Sequence, residues 1–255
     1  AALRILSRIA NAQEVQQSAY SQKRESGKRL LVIVTSDKGL AGSVNSAVLK
    51  RAEELLKDNQ VHLECICIGR KAVDFAKREK LEIIEEHTNV SDEVAIDDVY
   101  HTAKTIIEKF NTSEYRVVEV LYQNFLSTFE QEPTKRQILP LDPTEIHYIM
   151  RGIRPKEGKF SDDVEAADTT IAYTVEPSPE EVLESLIPRL VQIMLYHALL
   201  ESKASEHSAR MVAMKNATDK SKEVIKALTI QYNKARQAAI TAEVSEITAG
   251  VEAMK

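Results

Sequence analysis

No apolar run in this chain approaches the eighteen or so residues, roughly, that a membrane-spanning helix requires. The most apolar run, Leu190–Leu200, is short and is interrupted by Gln192 and His197. A role at a membrane would therefore be exercised from its side. Cysteine is scarce: Cys65 and Cys67 are the 2 in the chain. They lie two apart in an apolar run, so a strand would point both to one face. This excludes a disulfide framework and a Cys-x-x-Cys redox pair, and predicts two packed thiols in a reducing compartment. Positive charge is also short. Lys and Arg number 34 against 39 Asp and Glu, a net charge of -5, which argues against a nucleic-acid binder. The chain begins at Ala1, and no basic segment leading into an apolar one marks a signal peptide.

The chemistry of an active site is missing as well. Thr35–Ser43 is a glycine-bearing loop between a strand and a helix, where phosphates often bind. It lacks the G-x-x-x-x-G-K-[ST] spacing of a P-loop, and the chain has no G-x-G-x-x-G. The simpler expectation is that Gly39 and Gly42 make a tight turn and Ser43 caps the next helix. The six histidines (62, 87, 101, 147, 197 and 207) are scattered, without H-E-x-x-H or another metal spacing. Glu85-Glu86 and Asp162-Asp163 are sequence neighbours whose side chains diverge, and there is no nucleophile elbow. No catalytic residue, cofactor or metal is expected.

What the chain does have is a sharp division. Six of its 7 glycines and six of its 7 prolines precede residue 180, and neither residue occurs from Arg189 to Ala249. That marks a turn-rich domain and then one uninterrupted element. Residues 1–26 read as a helix. Residues 30–35 are a continuous apolar run, as in a strand buried on both faces of a parallel sheet. Next come a helix over 44–58, a strand over 61–68, a helix over 71–78, a short strand over 81–84, a helix over 97–110 and a strand over 116–121. Alternation of this kind predicts a Rossmann-like, mostly parallel α/β domain. In 131–176, Pro133, Pro140, Pro143 and Pro155 predict loops, with edge strands around 145–150 and 170–174.

Ser178-Pro179-Glu180-Glu181 is a helix start: an N-cap, proline in the first turn, and acids at the positive end. Pro188 is expected to kink or reset the helix. Beyond it nothing stops the helix before about Ala249. Some 60–75 residues at about 1.5 Å each make a rod of roughly 90–110 Å, against an average globular helix of about a dozen residues. Val182–Leu200 is apolar enough to pack on the α/β domain. Farther on, the stripe Ala204, Ala209, Val212, Ala217, Ile225, Leu228, Tyr232, Ala235, Ala238, Val244 and Ile247 is narrow and alanine-rich. It suits one closely seated neighbouring helix. Between Lys203 and Arg236 eight basic residues face three acids (Glu206, Asp219 and Glu223). This is either a solvated face or a surface for an acidic partner. The expected organisation is a helical lead-in over 1–28, an α/β domain over 29–176 and a long helix over 177–255.

Three segments carry a family resemblance. Ser36-Asp37-Lys38-Gly39-Leu40-Ala41-Gly42 resembles the S-D-[KR]-G-L-C-G loop of ATP synthase gamma subunits, with Ala41 where the family often has Cys. The stretch from Ser205 to Asp219 resembles S-E-x-x-A-R-M-x-A-M-x-x-A-T-D. That from Tyr232 to Glu243 resembles Y-N-[KR]-x-R-Q-x-x-I-T-x-E. The resemblance covers about residues 20–255. It implies a non-catalytic rotor-stalk subunit of a proton-translocating F-type ATP synthase. Its terminal helices would form an antiparallel coiled coil inside a ring of alpha and beta subunits, and its α/β domain would bind an epsilon-type subunit and the c-ring. Arg210, Gln237, Thr241 and Glu243 match the family's shaft positions, where contacts to beta-subunit loops are implied. Lys234 and Arg236 lie beside them and would face acidic beta loops.

The family's N-terminal I-T-K-A-M-x-M-V-A signature is not found; residues 1–28 resemble the family segment on the C-terminal side of that signature. The long helix would then lack its antiparallel partner. The implied location is the cytoplasmic face of a bacterial membrane, with the matrix side of the mitochondrial inner membrane as the alternative. No inserted cysteine pair implies thiol control. Two other readings stand beside this one. A nucleotide- or sugar-phosphate-binding α/β enzyme would use the Gly39–Ser43 loop, and a coiled-coil adaptor would need leucine heptads that 204–249 does not supply.

Overall fold

The computed structural model describes residues 20–57, 62–141 and 179–254 of the 255-residue chain. The elements in order are β1 (Lys28–Val34), α1 (Val44–Leu56), β2 (Leu63–Ile68), α2 (Arg70–Arg78) and β3 (Glu82–His87). A 3-10 turn (Ile96–Val99) leads into α3 (Tyr100–Asn111), and then come β4 (Tyr115–Phe125), β5 (Gln131–Leu139) and α4 (Pro179–Ala253). The five strands form one sheet in the order β3-β2-β1-β4-β5. β1 pairs in parallel with β2 and β4, and β2 in parallel with β3; only β4–β5 is antiparallel. This is the mostly parallel α/β sheet expected from the alternating pattern, with a long C-terminal helix.

The sheet is covered on both faces, which is why β1 reads as a continuous apolar run. Leu30, Val32 and Val34 pack with Val99, Ala103, Ile106 and Phe110 of the turn and α3. Leu31 and Ile33 point the other way, into Val48 and Ala52 of α1 and Ala72, Phe75 and Ala76 of α2. Burying each Leu, Ile or Val stabilises by roughly 1.5–3 kcal/mol. Cys65 and Cys67 share this second face as expected, fully buried, free, and 3.7 Å apart at sulfur.

The first part of α4 covers the α3 face. Ile187, Leu190, Val191, Met194, Leu195, Ala198 and Leu199 are all buried, at the three- and four-residue spacing of one helical stripe. Pro188 lies inside the helix without ending it. The ring removes one backbone hydrogen bond, but Ile187 before it and Leu190 and Val191 after it are buried in the core and hold the helix across this position, so the expected reset does not occur.

Two further expectations are corrected. Residues 20–27 are turn and irregular chain, not the end of a helix; residues 1–19 lie outside the described residues. Gln131–Leu139 is a strand although it contains Pro133. It is the end strand of the described sheet, where a missing N–H is tolerated. The edge strands expected at 145–150 and 170–174 lie outside the described residues. The chain divides into two compact units, Ala1–Ala209 and Arg210–Lys255.

Candidate functional site

The carboxyl ends of the parallel strands are where ligands bind in α/β sheets of this kind. Here that edge is closed by the chain itself. Asp37, just after β1, accepts a hydrogen bond from Arg70 N at 2.9 Å through Oδ1 and one from Val90 N at 2.9 Å through Oδ2. Arg70 is the first residue of α2, so a side-chain carboxylate already sits at the helix end that a phosphate would seek. Thr35 Oγ1 accepts from Ala72 N at 2.8 Å and donates to Ile68 O at 3.3 Å. Asn45 Oδ1 accepts from Ser36 N at 3.0 Å, and Asn45 Nδ2 donates to Ser36 Oγ at 2.7 Å.

The turn is made differently from the expectation. Gly42 has φ 58, but the other left-handed residue is Leu40, φ 62, not Gly39. Ser43 stands at the N-cap of α1 without a side-chain cap bond. The glycine that geometry demands is Gly69, between β2 and α2. Its φ is 93, and a Cβ there would lie 2.1 Å from Thr35 O. Next to this edge a cavity of about 410 Å³ is lined by Glu86, His87, Val90, Asp98, Thr102 and Leu199, among others. Its acidic walls, Glu86 and Asp98, disfavour a phosphate.

Beyond its apolar stripe, α4 crosses the same edge with polar side chains. Lys203 Nζ donates to Val90 O at 3.0 Å and to Asp92 Oδ1 at 3.3 Å. Ser205 Oγ donates to Gln123 O at 3.2 Å and Ser208 Oγ to Thr128 O at 2.9 Å. Higher up, Gln192 Nε2 donates to Ile96 O at 2.9 Å. Arg136 Nε donates to Tyr122 Oη at 2.9 Å, and His197 Nδ1 lies 3.1 Å from Glu201 Oε1. These four line a cavity of about 10 Å³, room for one water. Burial pushes the Tyr122 hydroxyl pKa up. Lys203, expected on an outward-facing basic stretch, is instead buried and paired. Ser205 and Ser208, read only as family motif, and Glu206, read also as an acid of the basic stretch, are buried too. The signal available in the sequence was small hydroxyl side chains at positions continuing the apolar stripe.

In the second unit every side chain from Met214 to Met254 is exposed. Lys234, Arg236, Gln237, Thr241 and Glu243 all lie there; Arg210 is half-buried at the boundary residue. At about 100° per residue, Lys234, Gln237 and Thr241 share one side of the helix, and Arg236 and Glu243 the opposite side. Thr241 Oγ1 donates back to Gln237 O at 2.8 Å. Ile225, Leu228, Tyr232, Ile240, Val244 and Ile247 are exposed large apolar residues on the same helix. Part of the basic excess is neutralised within the helix: Lys220 pairs with Glu223 at 2.6 Å and Lys222 with Asp219 at 3.8 Å.

Among the described residues one trio has metal-ligand geometry, His62, Glu64 and Glu82. Linear spacing did not reveal it because strand pairing assembles it. No described helix is long and apolar enough to cross a membrane.

A mostly parallel α/β sheet covered on both faces, with its ligand edge filled by its own side chains and a long C-terminal helix following it in the chain, defines the fold class. Solved structures bear this out at the level of fold. A chain of the Euglena gracilis mitochondrial ATP synthase OSCP/F1/c-ring structure matches with TM-score 0.62 and 19% identity, over 98% of this chain and 83% of that one. A chain of the Tetrahymena thermophila mitochondrial central stalk/c-ring structure matches with TM-score 0.57 and 23% identity, over 85% and 94%. The ATP synthase family profile matches residues 1–254. The ATP synthase gamma chain of Roseiflexus castenholzii is 43% identical over 227 residues, 88% of this chain and 72% of the relative. That of Pelotomaculum thermopropionicum is 35% identical over 251 residues, 98% and 82%. The chain belongs to the ATP synthase gamma-chain family.

Proposed function

We propose that this chain is the central rotor-stalk subunit of a proton-translocating F-type ATP synthase, itself without catalytic residues. It transmits torque between a membrane c-ring and a catalytic ring of alpha and beta subunits. The observation that carries the reading is α4: one helix over Pro179–Ala253 whose side chains are all exposed from Met214 to Met254. From Met214 onward that 75-residue helix gains nothing from tertiary packing, the usual source of helical stability, and its exposed apolar and basic groups call for enclosing partners. Family membership supplies their kind.

In this reading 29–176 forms the body that binds an epsilon-type subunit and the c-ring, and 177–255 the shaft. Arg210, Lys234, Arg236, Gln237, Thr241 and Glu243 meet beta-subunit loops. Lys234 and Arg236 point to opposite sides of the helix, so they meet different beta subunits at one time. An asymmetric shaft presents a different contact set to each beta subunit. It therefore assigns each a different nucleotide affinity, which is the physical content of coupling. The body works beside the membrane, on the cytoplasmic face in a bacterium; the bacterial relatives support that assignment over the mitochondrial one.

The test is co-expression of this chain with alpha and beta subunits of a bacterial relative, purification through a tag on beta, and measurement of rotation and ATPase activity. A stoichiometric complex whose ATPase turns this chain is expected. An alpha–beta ring that excludes the chain refutes the proposal.

A further inference from the structure

The amino-end corner of the sheet holds a cluster that the stalk role does not use. β2 and β3 run parallel with Glu64 directly opposite Glu82. Two like charges in that position destabilise a sheet, so the pairing implies a cation nearby. His62 stands two residues before Glu64, on the same face. Its Nε2 lies 3.3 Å from Glu82 Oε2 and 3.6 Å from Glu64 Oε1, and the ligand atoms of all three lie within 4.8 Å of one another. Ligands about 2.0–2.2 Å from a tetrahedral ion are themselves roughly 3.3–3.6 Å apart.

The three are unequal in a useful way. The Glu64 side chain is 2% exposed, and the buried Tyr115 hydroxyl donates to its Oε2, leaving Oε1 for the cluster. An oriented carboxylate of this kind is what outer hydrogen bonds provide in metal sites. His62 and Glu82 are 60% and 62% exposed, so an ion can enter from water and keep a water ligand.

We propose that His62, Glu64 and Glu82 form a binding site for a zinc-class divalent cation, in exchange with the ammonium of Lys28. Lys28 Nζ stands 2.6 Å from Glu64 Oε1 and supplies the positive charge when no ion is bound. It has a second carboxylate to move to, Glu114 Oε2 at 3.5 Å. One imidazole and two carboxylates favour zinc or cobalt over magnesium or calcium. A bound ion would clip β3 to β2 at the edge of the sheet.

The experiment is calorimetric titration of the metal-stripped full chain with Zn²⁺, paired with Co²⁺ absorption spectroscopy. One equivalent of ion is expected, with an intense tetrahedral Co²⁺ band. His62→Gln and Glu82→Gln lie at the surface and should leave the metal-free chain folded, with a cooperative thermal transition, while lowering affinity at least tenfold. Tyr115→Phe should lower it by roughly 10–100-fold, as loss of an outer partner does. Lys28→Met, which removes the competitor, should raise it. Absence of one-to-one binding overturns the proposal, as does unchanged affinity in His62→Gln and Glu82→Gln. Lower affinity in Lys28→Met overturns the exchange.

Discussion

Lys203 and Asp92, 111 residues apart in sequence, meet at 3.3 Å where α4 crosses the loop after β3. The lysine is 8% exposed and also donates to Val90 O. The pair fastens this part of the long helix to the ends of the strands.

Removing that fastening has a predictable cost. Lys203→Ala leaves the Val90 carbonyl without its donor and should destabilise the chain by about 1–3 kcal/mol in urea unfolding. Asp92 gives a pH signature. The hydrogen bond and charge of Lys203, with Lys38 and His207 adding less, hold its carboxyl below the ordinary value of 3.8. A depressed carboxyl pKa stabilises the folded state above the unfolded pKa, and the contribution is lost as pH falls through the folded one. The stability difference between the wild type and Asp92→Asn should therefore shrink as pH falls below about 4. A difference that grows below about pH 4 contradicts the pairing.

Gly69 should tolerate no side chain. A Cβ would lie 2.1 Å from Thr35 O, against backbone that cannot yield without breaking the β1–α2 contact, and φ 93 is itself unfavourable for L residues. Gly69→Ala should cost at least about 3 kcal/mol, combining overlap with backbone strain. Gly39→Ala, with open space around it and an ordinary φ, should be nearly neutral. Parallel melting curves check both.

The two thiols should be inert in the folded protein. Both are fully buried, and the hydrogen bond to the Cys65 sulfur, with burial adding to it, pushes the Cys67 pKa up, keeping it a thiol. A chromogenic thiol reagent should label neither in buffer and both in denaturant. Rapid labelling of the native chain would mean that the α1–α2 face opens.

For the proposed shaft contacts, Gln237→Ala and Arg210→Ala in an assembled complex should lower coupled turnover about fivefold or more, the lower end of typical coupling free energies. Gln237 is fully on the exposed part of α4, so its variant should melt like the wild type. Arg210 is half-buried and engaged, so its variant needs the same melting control. Unchanged turnover in both removes these residues from the interface.

Much of the architecture could be read in advance. Leu30–Val34 announced a strand buried on both faces, and the absence of glycine and proline from Arg189 to Ala249 announced one long helix. Both are local matters: apolar periodicity and backbone-breaking residues act over a few positions, and burial obeys the period. Pro133 and Pro188 misled for the complementary reason. A local prohibition yields when the position is at the end strand of the described sheet or when buried neighbours, Ile187 before the ring and Leu190 and Val191 after it, hold the helix in place.

What the sequence determined alone was therefore the alternation of strands and helices, the uninterrupted C-terminal helix and the motifs that mark the family. Only the tertiary structure decided that Asp37 fills the anion position at Arg70 N, that Lys203 is an anchor and not part of a solvated basic face, and that His62, Glu64 and Glu82 converge. Those partnerships join residues brought together by strand order and register. A hydrogen bond or ion pair depends on position to within a fraction of an ångström, and no one-dimensional pattern encodes that.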